Sequence, residues 1–212
     1  MEHSAEVLAM GGTSDRQARL SAPERRLHQR VLRRFLETGI PPTAAWFGEA
    51  ALACGLDGAA AAETLAQADL VHFAGERVSV SYPFSGVPTS HVVKIDGCRA
   101  VHAMCAVDAL GMVPMVGAAG QIDSVDAHTG EPVRVTCADG RWTFLPDAAV
   151  MLVAATGSGT SSSCTCPYIN FHVSKASADA FLAVNPNLTG AVLGQVEAVA
   201  LGERLFGPLL RA

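Results

Sequence analysis

Two short segments of this chain carry side chains suited to soft-metal chemistry. Cys105 lies in His102-Ala103-Met104-Cys105-Ala106-Val107-Asp108, and Cys166 closes a Cys164-Thr165-Cys166 pair ahead of Pro167-Tyr168-Ile169-Asn170-Phe171. If Cys105 begins a helix, Asp108 falls on the same helical face. A thiol at a helix N-terminus carries more thiolate than a free one, so a lowered Cys105 pKa is expected. Asp108, near that thiolate and partly buried, is expected to hold its proton more tightly through like-charge repulsion and desolvation. A carboxyl group protonated near neutrality is a general acid. Two converging thiolates would grip a soft metal ion with that acid beside it. The plainer reading of Asp108 is a first-turn helix residue favoured by the dipole, and spacing alone leaves both open. The Cys-x-Cys pair could be half of a zinc or copper site, but the Cys-x-x-Cys spacing of structural zinc sites occurs nowhere in the chain.

The rest of the composition sets the context for these thiols. The 212 residues are 50% hydrophobic and 17% charged, enough for a packed core in one large domain or two small ones. The formal net charge of −5 disfavours nucleic acid as the main partner. The longest apolar run, Ala109 to Ala119, is too short to span a membrane. Met1 to Leu20 lacks the basic and apolar regions of an export signal. A cytoplasmic protein with reduced thiols is expected, and Cys54, Cys98 and Cys137 read as small buried hydrophobes.

The elements that must position the thiols follow from local signals. Residues 1–20 are polar and aperiodic, expected as a disordered tail. Ser21-Ala22-Pro23-Glu24 is a capping box, followed by Leu27, Val31, Leu32, Phe35 and Leu36 at helical spacing. Thr43 and Asp57 open two further helices, and residues 70–82 read as a hairpin. Residues 21–82 thus have the outline of a winged-helix module, and residues 83–88 read as a linker. Strands are expected at 92–95, 133–137, 141–145, 149–154, 168–173 and 191–196, with helices from near Asp108, over 174–184 and over 197–210. Asp139-Gly140 is a type I′ turn signal. Gly157 to Ser163 reads as a flexible loop before the cysteines. The class is α+β: a winged-helix-like module packed on a mixed or antiparallel sheet core over 83–212.

A winged helix raises DNA binding as a rival function. In that fold the third helix enters the major groove, and here Gly58 to Ala68 carries no lysine or arginine. The arginines of the first helix, Arg25, Arg26, Arg30, Arg33 and Arg34, read as a solvated face, and the module as a scaffold or lid for the second half. His28 is expected to face solvent on that helix. His91, His128 and His172 lack a histidine partner at ligand spacing and are not expected to bind metal.

The blocks around the two cysteines resemble those of the organomercurial (alkylmercury) lyases. Cys105-Ala106-Val107-Asp108-Ala109-Leu110, with Pro114 following, is similar to the family's first catalytic block. Cys166-Pro167-Tyr168-Ile169-Asn170-Phe171-His172-Val173-Ser174 is similar to the second. Asp126-Ala127-His128-Thr129-Gly130-Glu131-Pro132-Val133 resembles the segment between them, and Ala191 through Leu210 resembles the closing strand and helix. Met104 stands where family members often carry an aromatic residue, His102 where tyrosine is expected, and Asp126 where many have a third cysteine. Cys164 is additional.

That resemblance implies protonolysis of a carbon–mercury bond, giving a hydrocarbon and Hg(II). Cys105 and Cys166 would be the thiolates that bind mercury, and Asp108 would receive and deliver the proton. Cys164 would be a third ligand, a hand-off thiol or uninvolved. No organic cofactor or resident metal is implied, and small thiols or mercuric reductase would accept the Hg(II). The alternative is a non-catalytic thiol protein that holds Cu(I), Zn(II) or Hg(II), or a metal-responsive DNA-binding protein. Met104, Met112, Val113 and Met115 are candidate lining for an apolar substrate pocket, or plain core.

Overall fold

In the computed structural model, which describes residues 12–156 and 165–211, the first helices begin where capping chemistry puts them. Short helix α1 (Thr13–Ala18) precedes α2 (Ala22–Thr38). At the start of α2, Glu24 Oε2 accepts from Ser21 N at 2.8 Å and Ser21 Oγ at 2.6 Å, satisfying N-terminal groups that helix geometry leaves unpaired. Thr43 Oγ1 accepts from Trp46 N at 3.1 Å to open α3 (Ala44–Leu52), and Asp57 Oδ1 accepts from Ala60 N at 2.9 Å to open α4 (Gly58–Gln67). The hairpin β1 (Val71–Ala74) and β2 (Arg77–Ser81) follows.

Residues 83–88 do not act as a plain linker. Phe84–Ser85 form strand β3, which pairs with β2 on one side and with β5 (Val101–Ala103) on the other. Among the described residues, one sheet of eight strands runs β1-β2-β3-β5-β4-β6-β7-β8, where β4 is Val92–Ile95, β6 Gly120–Val125, β7 Pro132–Ala138 and β8 Arg141–Leu145. Its neighbours are all antiparallel. The hairpin of the N-terminal module is therefore hydrogen-bonded into the same sheet whose strand β5 ends two residues before Cys105. The β7–β8 turn has positive φ at both Asp139 (51°) and Gly140 (73°), as a two-residue type I′ turn requires.

A second sheet of three strands runs β10-β9-β11, from β9 (Val150–Ala155), β10 (Ile169–His172) and β11 (Thr189–Leu193). Met151, Leu152, Val153 and Ala154 are all buried, so β9 is covered on both faces. Leu152 and Ala154 pack toward Ala178 of α6 (Lys175–Val184), while Met151 and Val153 join the main core. The last strand ends earlier than the sequence suggests. Glu197 Oε2 accepts from Gly194 N at 3.0 Å, so the capping box starts α7 (Gln195–Phe206) there and leaves Val196 83% exposed on the helix.

Two expectations for the N-terminal region are corrected. Residues 13–18 are helical rather than part of a disordered tail, because polar fastenings that composition does not reveal dock them. Gln17 is buried, with Nε2 donating to Leu209 O at 3.2 Å and lying 2.9 Å from His28 Nδ1. Ser14 Oγ donates to Arg204 O at 3.2 Å. His28 is 0% exposed rather than solvent-facing. Burial, and then the nearby Arg16 cation, push its pKa down to about 3, so it stays neutral.

Helix α5 (Ala106–Val116) crosses α7 at two facing glycines, Gly111 and Gly202. A Cβ on Gly202 would lie 2.9 Å from both Gly111 N and Leu110 Cβ. Only the missing side chains allow so close an approach. Gly202→Ala is therefore expected to cost about 1–3 kcal/mol as the helices move apart, read as a lower urea midpoint. A midpoint equal to wild type would contradict this packing.

Candidate active site

Cys105 is the N-cap of α5, with extended backbone at φ −156°, and Asp108 is the third residue of the helix. Asp108 Oδ2 accepts from Cys105 Sγ at 2.6 Å, and the Asp108 carboxyl group also accepts from the Cys105 backbone amide. Asp108 reaches back to the residue before the helix, as the acid of a capping box does, while Cys105 Sγ donates to it and caps no backbone amide. Helix initiation and the placing of an acid beside a sulfur are thus one local event.

Cys166 is positioned differently. It starts the 3-10 turn Cys166–Tyr168, in which Pro167 fixes the backbone and Tyr168 N donates to Thr165 O at 2.9 Å. The chain then enters β10, with Ile169 opposite Val153. The far end of β10 is anchored by Asp126. Its Oδ1 accepts from the amides of His128 (2.7 Å) and Thr129 (3.0 Å), and its Oδ2 from Val173 N (2.7 Å) and Ser177 Oγ (2.6 Å). Burial alone would raise the Asp126 pKa, but the hydrogen bonds from Ser177, Val173, Thr129 and His128 outweigh it and bring the pKa to about 2. His172 Nδ1 lies 3.3 Å from Asp126 Oδ1. Burial holds His172 below its ordinary value, so at neutral pH the contact joins a neutral imidazole to a carboxylate rather than two charges.

The fold brings the two cysteines together. Cys105 Sγ, Cys166 Sγ and an Asp108 carboxyl oxygen all lie within 4.8 Å of one another, and all three residues are buried. They line a cavity of about 120 Å³ whose other walls include Val107, Val153, Ile169, Leu201, Leu205 and Phe206. That size suits a small alkyl or aryl group, and apolar cavities of this order accept benzene.

The electrostatics differ in one respect from the sequence reading. Cys105 is raised well above the ordinary thiol value, by burial first and then by its hydrogen bond and charge coupling with Cys166 and Asp108. Desolvation of this buried sulfur sets the direction, so the resting group is a thiol rather than the expected thiolate. Asp108 behaves as expected in direction: burial raises its pKa to about 7, against smaller lowering by Cys105 and the Arg16 cation. Among the described residues, Asp108 Oδ1 has no hydrogen-bond partner.

Other expected lining residues lie elsewhere. Met112, Val113 and Met115 are buried core and Met104 is half-buried, but none of them lines this cavity. His102 is also absent from the lining; its Nδ1 accepts from Thr89 N at 3.0 Å and fastens the segment before β4. Cys164 lies outside the described residues. Cys54, Cys98 and Cys137 are free and take no part in the cluster. The sequence reading missed Arg16 and Tyr82, which also line the cavity, and the apolar wall supplied by α7. No motif flags Arg16 or Tyr82, since both reach the site through tertiary packing alone.

A buried pair of thiols thus lies beside a proton-holding carboxyl group on an α+β frame, a donor set suited to a soft metal ion. A family model described as alkylmercury lyase matches residues 84–207, and the chain belongs to that family. Curated alkylmercury lyases of Bacillus cereus and Clostridium butyricum are each 30% identical to it over 123 residues, 57% of this chain and 55% of each relative. The chain thus spans about half the length of the curated relatives it matches. A crystal structure of the mercury-bound form of MerB2 shares the fold, with a TM-score of 0.73 at 20% identity over 99% of this chain and 100% of that one. No helix among the described residues is long and apolar enough to cross a membrane.

Proposed function

We propose that this protein is an organomercurial lyase that cleaves carbon–mercury bonds by protonolysis. The observation that carries the reading is the approach of Cys105 Sγ, Cys166 Sγ and the Asp108 carboxyl group within 4.8 Å, buried on the wall of an apolar cavity. Mercury is a soft cation and thiolate its favoured ligand. An incoming R–Hg⁺ bonds to Cys105 Sγ as the thiol proton passes along the existing 2.6 Å hydrogen bond to Asp108. Cys166 Sγ releases its own proton to solvent and supplies the second thiolate, so that of the two thiol protons one leaves and the other stays on Asp108. Two thiolates push electron density onto mercury and weaken its bond to carbon. The bond electrons leave with the carbon, which takes the proton held by Asp108; R–H departs and Hg(II) remains between the sulfurs. A positioned acid contributes on the order of 10²–10⁴-fold in such a step, and the fixed geometry removes the encounter cost.

No resident cofactor enters this scheme, because the metal arrives with the substrate. Hg(II) then passes to small thiols or to mercuric reductase, with Cys164, two positions before Cys166 in the sequence, as a further thiol for the hand-off. The work suits the cytoplasm, where thiols stay reduced. Residues 21–82 serve as a winged-helix-like scaffold for a catalytic core over 83–212. Helix α4, which would enter a DNA groove in that fold, has no cationic residue and favours this role over DNA binding.

The test is gas-phase detection of benzene from phenylmercury incubated with the protein and excess neutral thiol. Stoichiometric turnover above the thiol-only control is expected. Retention of intact phenylmercury on the cysteines with no benzene would leave a binding protein in place of a lyase.

A further inference from the structure

Building on the lyase reading, we propose that Arg16 anchors a carboxylate carried by the incoming organomercurial, and so sets which substrates the site prefers. Arg16 is the only cation among the described residues lining the cavity that holds Cys105, Cys166 and Asp108. It stands in the last turn of α1, with its guanidinium 5.8 Å from the centre of the Tyr82 ring. One terminal nitrogen lies 3.7 Å from Asp69 Oδ2, and the other donates to Thr13 Oγ1 at 3.2 Å. Its Nε is buried and has no hydrogen-bond partner among the described residues. A buried N–H of a charged group without a partner is costly, and such donors are usually satisfied. A carboxylate in the cavity would satisfy this one after a small turn of the side chain, since Nε itself is covered.

Charge gives the same direction. A guanidinium close enough to lower the Asp108 pKa repels a bare organomercury cation arriving at the thiols beside it. It attracts a species that brings a negative charge with the metal, and the planar fork of arginine suits a carboxylate. Most of the remaining wall is apolar, from Val107, Val153, Ile169, Leu201, Leu205 and Phe206, with Thr13, Thr165 and Tyr82 beside them, so the rest of the substrate gains from burial. The carboxylate has two possible sources: the organic group itself, or the small thiol that accompanies the metal as a thiolate adduct.

The test compares phenylmercury and 4-mercuribenzoate, each delivered as its 2-mercaptoethanol adduct, and phenylmercury delivered as its mercaptoacetate adduct. The wild type is expected to favour a carboxylate-bearing form in kcat/KM by about tenfold, the scale of one charge-assisted hydrogen bond. Arg16→Met should abolish that preference and Arg16→Lys retain part of it. A preference that follows mercuribenzoate places the carboxylate on the organic group; one that follows mercaptoacetate places it on the carrier. Loss of α1 docking in a variant would slow all three substrates alike and leave their ratios unchanged. An Arg16→Met ratio equal to wild type therefore overturns the proposal and makes Arg16 a fastening of α1. Absence of hydrocarbon from every substrate with the wild type would instead sink the lyase reading, and this inference with it.

Discussion

Cys166→Ala is expected to abolish hydrocarbon release, with kcat/KM for phenylmercury falling by roughly 10³-fold or more, as for members of a cooperating catalytic set. With one sulfur gone, mercury is held by Cys105 alone and its bond to carbon is no longer weakened by a second thiolate. The substitution leaves the fold intact, because Pro167 and the pairing of Ile169 with Val153 hold the backbone independently of the sulfur. Loss of one buried sulfur costs about 1 kcal/mol in a core that relaxes little. Cys105→Ala should be equally inactive, and both variants should melt cooperatively close to wild type. Benzene release from the Cys166 variant at the wild-type rate would remove Cys166 from the mechanism.

Those two thiols were legible in the sequence because each sits at a locally encoded start. The cap of α5 and the Pro167 turn are properties of a few adjacent residues, as are the caps Ser21, Thr43 and Asp57. Elements decided by distant partners were not legible. Strand β3 is only Phe84–Ser85, and it exists because Ala103 and His102 lie alongside. Strand β6 follows the left-handed Gly117 that ends α5, but its residues GQIDSV lack the alternation of a half-buried strand, and its pairing with β4 and β7 fixes it. Helix α1 depends on Gln17 meeting Leu209 across nearly the whole chain. The same distinction applies within the site. That Asp108 neighbours Cys105 follows from helical spacing, but the sign of the Cys105 shift depends on how completely the sulfur is buried. The residues around it include Val153, Leu201 and Phe206, far away in sequence.

Asp108→Asn should move stability and activity in opposite directions. The amide keeps the shape and can still accept from the Cys105 thiol, but it cannot hold a transferable acidic proton. Turnover should fall on the order of 10²–10⁴-fold, while Hg(II) stays bound through the intact cysteines. The stability effect follows from linkage. Asp108 has a pKa of about 7 in the folded protein against an ordinary value of 3.8, so between those values the folded state holds the proton that the unfolded state has lost. Stability of the wild type therefore falls as pH rises from 4 to 7, and the full penalty persists above 7. Roughly three pKa units correspond to about 4 kcal/mol. The asparagine variant escapes this penalty. It should be more stable than wild type at pH 8 by up to about that amount, and the difference should shrink toward zero near pH 4. Urea midpoints of both proteins across that range decide the matter: a gap that does not change with pH would mean that Asp108 is not the buried, proton-holding acid on which the transfer to carbon depends.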